Sequence, residues 1–152
     1  MLPLTSMTGF LLQKSGAILL AHAERALEAR GTRVRHFYVL AALNDTPDLS
    51  QHDLSQMIGI DAGILGSLID EMETDGHVER RRNPLDKRRY VVNITKLGRD
   101  VLVVLLDDMQ KIEQEFLSSL SDSEAGNLRK YLERALAGRW PEVIECGSPG
   151  EI

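Results

Sequence analysis

The run Leu68-Ile69-Asp70-Glu71-Met72-Glu73-Thr74-Asp75-Gly76-His77-Val78-Glu79-Arg80-Arg81-Arg82-Asn83-Pro84-Leu85-Asp86-Lys87-Arg88-Arg89-Tyr90-Val91-Val92-Asn93-Ile94 changes its hydrophobic period midway. Leading into it, Leu65, Leu68, Ile69 and Met72 stand at i, i+3, i+4 and i+7, the stripe of an amphipathic helix. Gly76 closes that pattern. His77 to Arg82 and Tyr90 to Ile94 then read as two short strands, with Tyr90, Val92 and Ile94 alternating against Val91 and Asn93. Between them Asn83-Pro84-Leu85-Asp86-Lys87 is rich in turn formers. The prediction is a helix that runs into a β-hairpin with a basic tip.

Upstream, Ser50-Gln51-His52-Asp53 reads as a capping box, in which the Ser50 hydroxyl accepts from the Asp53 backbone and the Asp53 carboxylate reaches back. A short helix should follow, with Leu54, Met57 and Ile58 on one face and a stop at Gly59. Asp61 is a suitable N-cap for the striped helix. A short helix, a tight turn and a second helix across residues 50–75 give the order of a helix-turn-helix.

Further out, residues 33–44 suit a helix with Phe37, Val39, Leu40 and Leu43 apolar, and residues 7–30 suit a longer one stopped by Gly31. Downstream, Thr95 opens a long helix in which Leu102, Leu105, Met109, Ile112 and Phe116 step by 3, 4, 3 and 4. That seam suits packing on a partner helix. Ser121-Asp122-Ser123-Glu124 is a second capping box, and the helix after it carries Leu128, Leu132, Ala135 and Leu136 on one face. Residues 138–152 read as a Gly- and Pro-containing tail, with Trp140 as its anchor.

Composition narrows the function. The chain has 152 residues, 43% of them hydrophobic and only 5% aromatic, so Leu, Ile, Val and Ala must build the core, which favours helix packing. The single cysteine, Cys146, allows no intrachain disulfide and is read as an inert thiol in a reducing compartment. No uncharged apolar run reaches the roughly 20 residues of a membrane helix, and Met1 to Phe10 lacks the basic region of a signal peptide. A cytoplasmic protein with no membrane association is expected. His22, His36, His52 and His77 show no i, i+4 spacing, so no metal site is expected. No nucleophile triad and no Gly-rich phosphate loop appears, so neither an enzyme nor a cofactor is expected.

The net charge of −5 hides a local pattern. Residues 76–100 carry 8 cations against 3 anions, whereas residues 31–75 carry 2 against 8. Because salt screens charges beyond about 10 Å, a local basic patch matters more to a polyanion than the total.

The element order, together with the three motifs Leu68 to Arg80, Asn83 to Arg89 and Val92-Asn93-Ile94-Thr95-Lys96-Leu97-Gly98, resembles the MarR family of bacterial regulators across about residues 7–137. The resemblance implies a mainly α fold: a winged helix-turn-helix with a small β-hairpin wing and a helical dimerisation region. Residues 33–94 would be the DNA-binding lobe, and residues 7–30 and 95–137 the dimerisation region. It implies a homodimeric DNA-binding regulator, expected to be a repressor. This would read pseudo-palindromic duplex DNA with half-sites roughly 34–36 Å apart. A small lipophilic or phenolic effector would bind between the lobes.

Expected DNA contacts follow. On the second helix of the helix-turn-helix the outward positions are Ala62, Gly63, Gly66, Ser67 and Asp70, and the two glycines allow close approach of backbone to DNA. Members of the family usually carry Ser, Thr and Arg where this chain has Gly63, Ile64 and Ser67, so the wing should bear more of the contact. By the resemblance Arg88 enters the minor groove and Asp86 holds its guanidinium, while Arg82, Lys87 and Arg89 sit over phosphates. His52 is a candidate phosphate contact, and His22, His36, Phe37 and Leu40 are candidates for the effector pocket. The alternative is a winged-helix interaction module that has lost DNA reading, favoured by the acidic residues Asp70, Glu71, Glu73 and Asp75 on the second helix.

Overall fold

A computed structural model describes residues 3–139. A 3-10 turn at Leu4–Ser6 leads into α1 (Thr8–Glu28), followed by α2 (Val34–Asp45), α3 (Gln51–Ile58), α4 (Ala62–Thr74), β1 (Val78–Arg82), β2 (Tyr90–Ile94), α5 (Lys96–Phe116) and α6 (Asp122–Leu136). The fold is mainly α, with a two-stranded antiparallel hairpin, as expected from the sequence. The 3-10 turn was not foreseen. Trp140, Cys146 and most of the anticipated tail lie outside the described residues.

Caps set the helix boundaries. Ser50 Oγ accepts the Asp53 N–H at 3.1 Å, but the Asp53 carboxylate accepts from the Ser50 hydroxyl at 2.6 Å, not from the Ser50 backbone as expected. At α6 the full box does form: Glu124 Oε2 accepts the Ser121 N–H at 2.8 Å, and Ser121 caps Glu124. Glu is one methylene longer than Asp, which gives it the reach to the N-cap N–H. Gly59 ends α3 at φ 67, in the left-handed region where a side chain is strained.

The core joins α2, α3, α4 and the hairpin. Leu40, Leu43, Leu54, Leu65, Ile69, Met72, Val78 and Val92 are each no more than 1% exposed. Ala23 and Leu27 of α1 and Leu102 and Leu105 of α5 belong to the same continuous cluster. On α3, Leu54 is buried and Ile58 packs against the core as read from the sequence, but Met57 is 36% exposed and Ser55 is buried. Ser55 Oγ donates to the Ile60 carbonyl at 2.8 Å, so a small hydroxyl side chain ties the helix to the following turn.

The hairpin pairs Val78 with Ile94 and Arg82 with Tyr90. Leu49 adds a bridge to Val92, and the Asp48 N–H donates to Asn93 Oδ1 at 3.1 Å, so the wing base is tied to the α2–α3 connection. At the hairpin exit Thr95 caps α5 and donates through Oγ1 to the Gly76 carbonyl at 2.6 Å. Gly98 then lies so close to the preceding chain that an added Cβ would stand 2.1 Å from the His77 carbonyl oxygen. These contacts are the physical content of the Thr95-to-Gly98 motif.

Beyond Leu105 the α5 seam is only half covered: Met109, Ile112 and Phe116 are intermediate in exposure. No residue of α6 is buried.

Candidate nucleic-acid interface

The recognition face begins with the α4 N-cap. Asp61 Oδ1 accepts the N–H of Gly63 at 2.9 Å and of Ile64 at 3.2 Å, which fixes the helix start. Ala62, Gly63, Ser67 and Asp70 are exposed, while Gly66 is half-buried, with Gln51 Nε2 3.7 Å from where its Cβ would be. The side of α4 opposite the buried stripe therefore presents small residues, one hydroxyl and the Asp70 carboxylate. His52 stands exposed on α3.

The acidic residues of α4 are largely engaged. Arg80, on β1 beside the wing cations, turns back onto the helix-turn-helix. Its guanidinium donates to Asp70 Oδ1 at 2.6 Å, to Glu73 Oε2 at 2.6 Å and to Gln51 Oε1 at 3.0 Å. Its backbone N–H donates to Glu73 Oε1 at 2.9 Å. Those bonds from the Arg80 backbone and guanidinium hold the Glu73 carboxyl below its ordinary pKa. One guanidinium thus joins α3, α4 and β1. Arg33 of the α1–α2 connection pairs with Glu71. Nothing in the linear sequence signalled the Arg80 clamp, because it needs the turn at Gly76 to fold the strand back along the helix.

The cations of the wing divide sharply. Arg81 pairs with Glu79. Arg82 donates to the Lys87 carbonyl at 2.7 Å and lies 5.3 Å over the Tyr90 ring. Arg89 Nε is 3.6 Å from Asp86 Oδ2. Lys87 and Arg88 extend exposed side chains that meet no partner among the described residues. Asp86 accepts the Arg88 backbone N–H at 3.1 Å, and its carboxylate faces Arg89 where the resemblance had given it the Arg88 guanidinium. With backbone alone held, the Arg88 side chain remains available.

The loop between the strands is built by Asn83. Its side-chain oxygen accepts the N–H groups of Leu85 at 2.8 Å and Asp86 at 3.3 Å. The Asn83 N–H donates to the Arg89 carbonyl at 2.8 Å, and the Arg89 N–H to Asp86 at 2.9 Å. The tip is thus a closed turn with its cations projecting outward.

A cleft of about 770 Å³ lies between the first two helices and the helix-turn-helix. Leu20 and Glu24 of α1, Arg35 and Tyr38 of α2, His52 of α3 and Ile64 of α4 are among its lining residues. Of the residues proposed from sequence for an effector pocket, His22 and Phe37 are half-buried, His36 and Leu40 are buried, and none lines this cleft. His36 instead faces α4, with Nε2 3.5 Å from Glu71 Oε1 and with Nδ1 buried and unpaired. Burial lowers its pKa, opposed by Glu71 and assisted by Arg33. Among the described residues no group of three metal-ligating side chains stands together, and no helix is long and apolar enough to cross a membrane.

Among the described residues, six α-helices with a hairpin following the fourth, and a basic tip on that hairpin, define a winged helix-turn-helix protein. The MarR family model matches residues 30–89. The transcriptional activatory protein BadR of Rhodopseudomonas palustris is 30% identical over 131 residues, 84% of this chain and 74% of that protein. The crystal structure of CouR from Rhodococcus jostii RHA1, bound to p-coumaroyl-CoA, is similar with a TM-score of 0.76 at 25% identity, covering 88% of this chain and 94% of that one. A MarR family protein of Mycobacterium tuberculosis in complex with DNA shares the fold, with a TM-score of 0.74 at 22% identity over 86% of this chain and 98% of that one. The chain belongs to the MarR family. It is a transcriptional regulator of that family, and the proteins it matches are regulators, not enzymes.

Proposed function

We propose that the chain regulates transcription as a homodimer that binds pseudo-palindromic duplex DNA, with α4 in the major groove and the wing in the minor groove. The observation that carries this reading is the wing tip, where Lys87 and Arg88 project without protein partners from a turn closed by Asn83. An unpaired Arg on a fixed hairpin fits a narrow minor groove, where the negative potential is strongest. Ala62, Gly63, Gly66 and Ser67 approach base edges and backbone; Arg82, Lys87 and Arg89 serve phosphates; His52 adds a phosphate contact from α3. The acidic character of α4, which favoured an interaction module, loses weight. Arg80 bonds both Asp70 and Glu73 and offsets one of their two charges, and Arg33 pairs with Glu71.

Residues 33–94 form the DNA-binding lobe in this reading, and residues 7–30 and 95–137 supply the dimer contacts. A small lipophilic or phenolic effector modulates DNA binding by favouring one spacing of the two lobes, since a ligand shifts an equilibrium only through differential affinity. The cleft between α1, α2 and the helix-turn-helix offers such a ligand both apolar and charged groups. Selection of genomic fragments by the purified protein, followed by footprinting, tests the proposal. Two protected half-sites about one helical turn apart support it. Enrichment of no sequence, with a folded dimer, favours the interaction module.

A further inference from the structure

Leu85 is 97% exposed, more than any other large hydrophobic residue described. It occupies the tip of the wing, between Pro84 and Asp86, and its backbone N–H is held by Asn83 Oδ1 at 2.8 Å. The position is therefore fixed by the turn, while the side chain packs on nothing. Turn tips ordinarily carry Gly, Asn, Asp or Ser, which water solvates well. A leucine there contributes nothing to folding and leaves apolar surface in water.

The surroundings indicate what covers it. Lys87 and Arg88, two and three residues on, have side chains with no partner among the described residues. Arg82 already has the Lys87 carbonyl and the Tyr90 ring as partners, so the cations without a protein partner at the wing are the two beside Leu85. A surface that pairs with both must be anionic at its edges and apolar within. The minor groove of B-DNA has this form: phosphates line its rim and deoxyribose its walls, across a width of about 6 Å. Apolar side chains inserted there unstack a base step and bend the duplex, most easily at flexible pyrimidine–purine steps.

We propose that Leu85 is an apolar wedge that enters the minor groove beside Arg88 and selects deformable base steps beneath the wing. This rests on the DNA-binding reading above. Two kinds of contact then act at one tip: a cation, whose contribution is salt-dependent, and a leucine, whose contribution is not. Counterion release separates them, because only charge neutralisation changes the salt slope of binding.

The test uses the full chain and a duplex that the wild-type protein has itself selected from a random pool. Binding is followed by fluorescence anisotropy across a salt series for wild type, Leu85→Ala, Leu85→Met and Arg88→Ala. Bending is followed by energy transfer between dyes at the duplex ends. Leu85→Ala is expected to weaken binding about tenfold with an unchanged salt slope and a smaller bend, and Leu85→Met to keep most of the affinity. Arg88→Ala is expected to lower the slope by about 1. Leu85→Ala binding and bending DNA like wild type, while Arg88→Ala is impaired, overturns the wedge and leaves the DNA-binding reading intact. Absence of duplex binding by the wild type overturns both. Because Leu85 packs on nothing, its substitutions should leave the thermal midpoint unchanged, which excludes misfolding as a cause.

Discussion

Gly98 shows how tightly one residue can join two elements. A Cβ there would stand 2.1 Å from the His77 carbonyl and 2.9 Å from an Ile94 side-chain carbon. Backbone cannot yield as a flexible side-chain end can, so Gly98→Ala should cost about 2–4 kcal/mol, read as a lower midpoint in urea. A midpoint equal to that of wild type would show that α5 can shift away from the hairpin at no cost. His36 makes a residue-scale prediction of a different kind. Burial lowers its pKa below the ordinary histidine value of about 6.5, with Glu71 and Asp75 opposing and Arg33 assisting. The folded state therefore binds fewer protons than the unfolded chain in the window just below that value. Stability should be steady above about pH 7.5 and should fall as pH drops through about 6.5 toward the lower folded value. His36→Gln removes this component, so the pH dependence of its unfolding midpoint should be shallower than that of wild type. Parallel curves would contradict the assignment.

Elements were legible where the signal is local. The stripe of Leu65, Leu68, Ile69 and Met72 predicted the buried face of α4, and the change of period after Gly76 predicted the hairpin. Caps at Ser50, Asp61 and Ser121 placed helix starts because a hydroxyl or carboxylate beside free N–H groups acts within one turn. What was not legible depends on which face meets which neighbour. Arg80 reads as one cation in a run, yet the fold carries it to Asp70, Glu73 and Gln51. Ser55 is buried as a polar residue because the turn after α3 offers its hydroxyl the Ile60 carbonyl. The cleft was likewise beyond reach, since its lining comes from four separate helices. The Arg80 clamp supplies the prediction at this scale. Arg80→Leu should cost about 1 kcal/mol of stability, a modest value because Asp70 is 71% exposed. It should weaken DNA binding more than that loss explains, because two carboxylates on the recognition helix are released toward phosphate. Adding Asp70→Asn and Glu73→Gln should restore part of the affinity. No restoration would mean that the clamp acts only on geometry.

Across the whole molecule, the helical ends look incomplete in a single chain. Leu11 of α1 is 49% exposed, Val103 of α5 is 67% exposed and Leu136 of α6 is 37% exposed, and α6 buries no residue. Apolar surface of this extent is covered by a partner in the homodimer proposed above. Sedimentation should give a dimer, and Leu11→Glu combined with Leu136→Glu should shift it toward monomer. A wild-type monomer at micromolar concentration would remove the two-fold reading of DNA. DNA binding through the wing is tested by the salt dependence of duplex binding by wild type and Arg88→Ala. Affinity should fall steeply with salt, be markedly weaker in Arg88→Ala, and lose about one unit of slope there. Equal affinity and equal slope for the two proteins would contradict it.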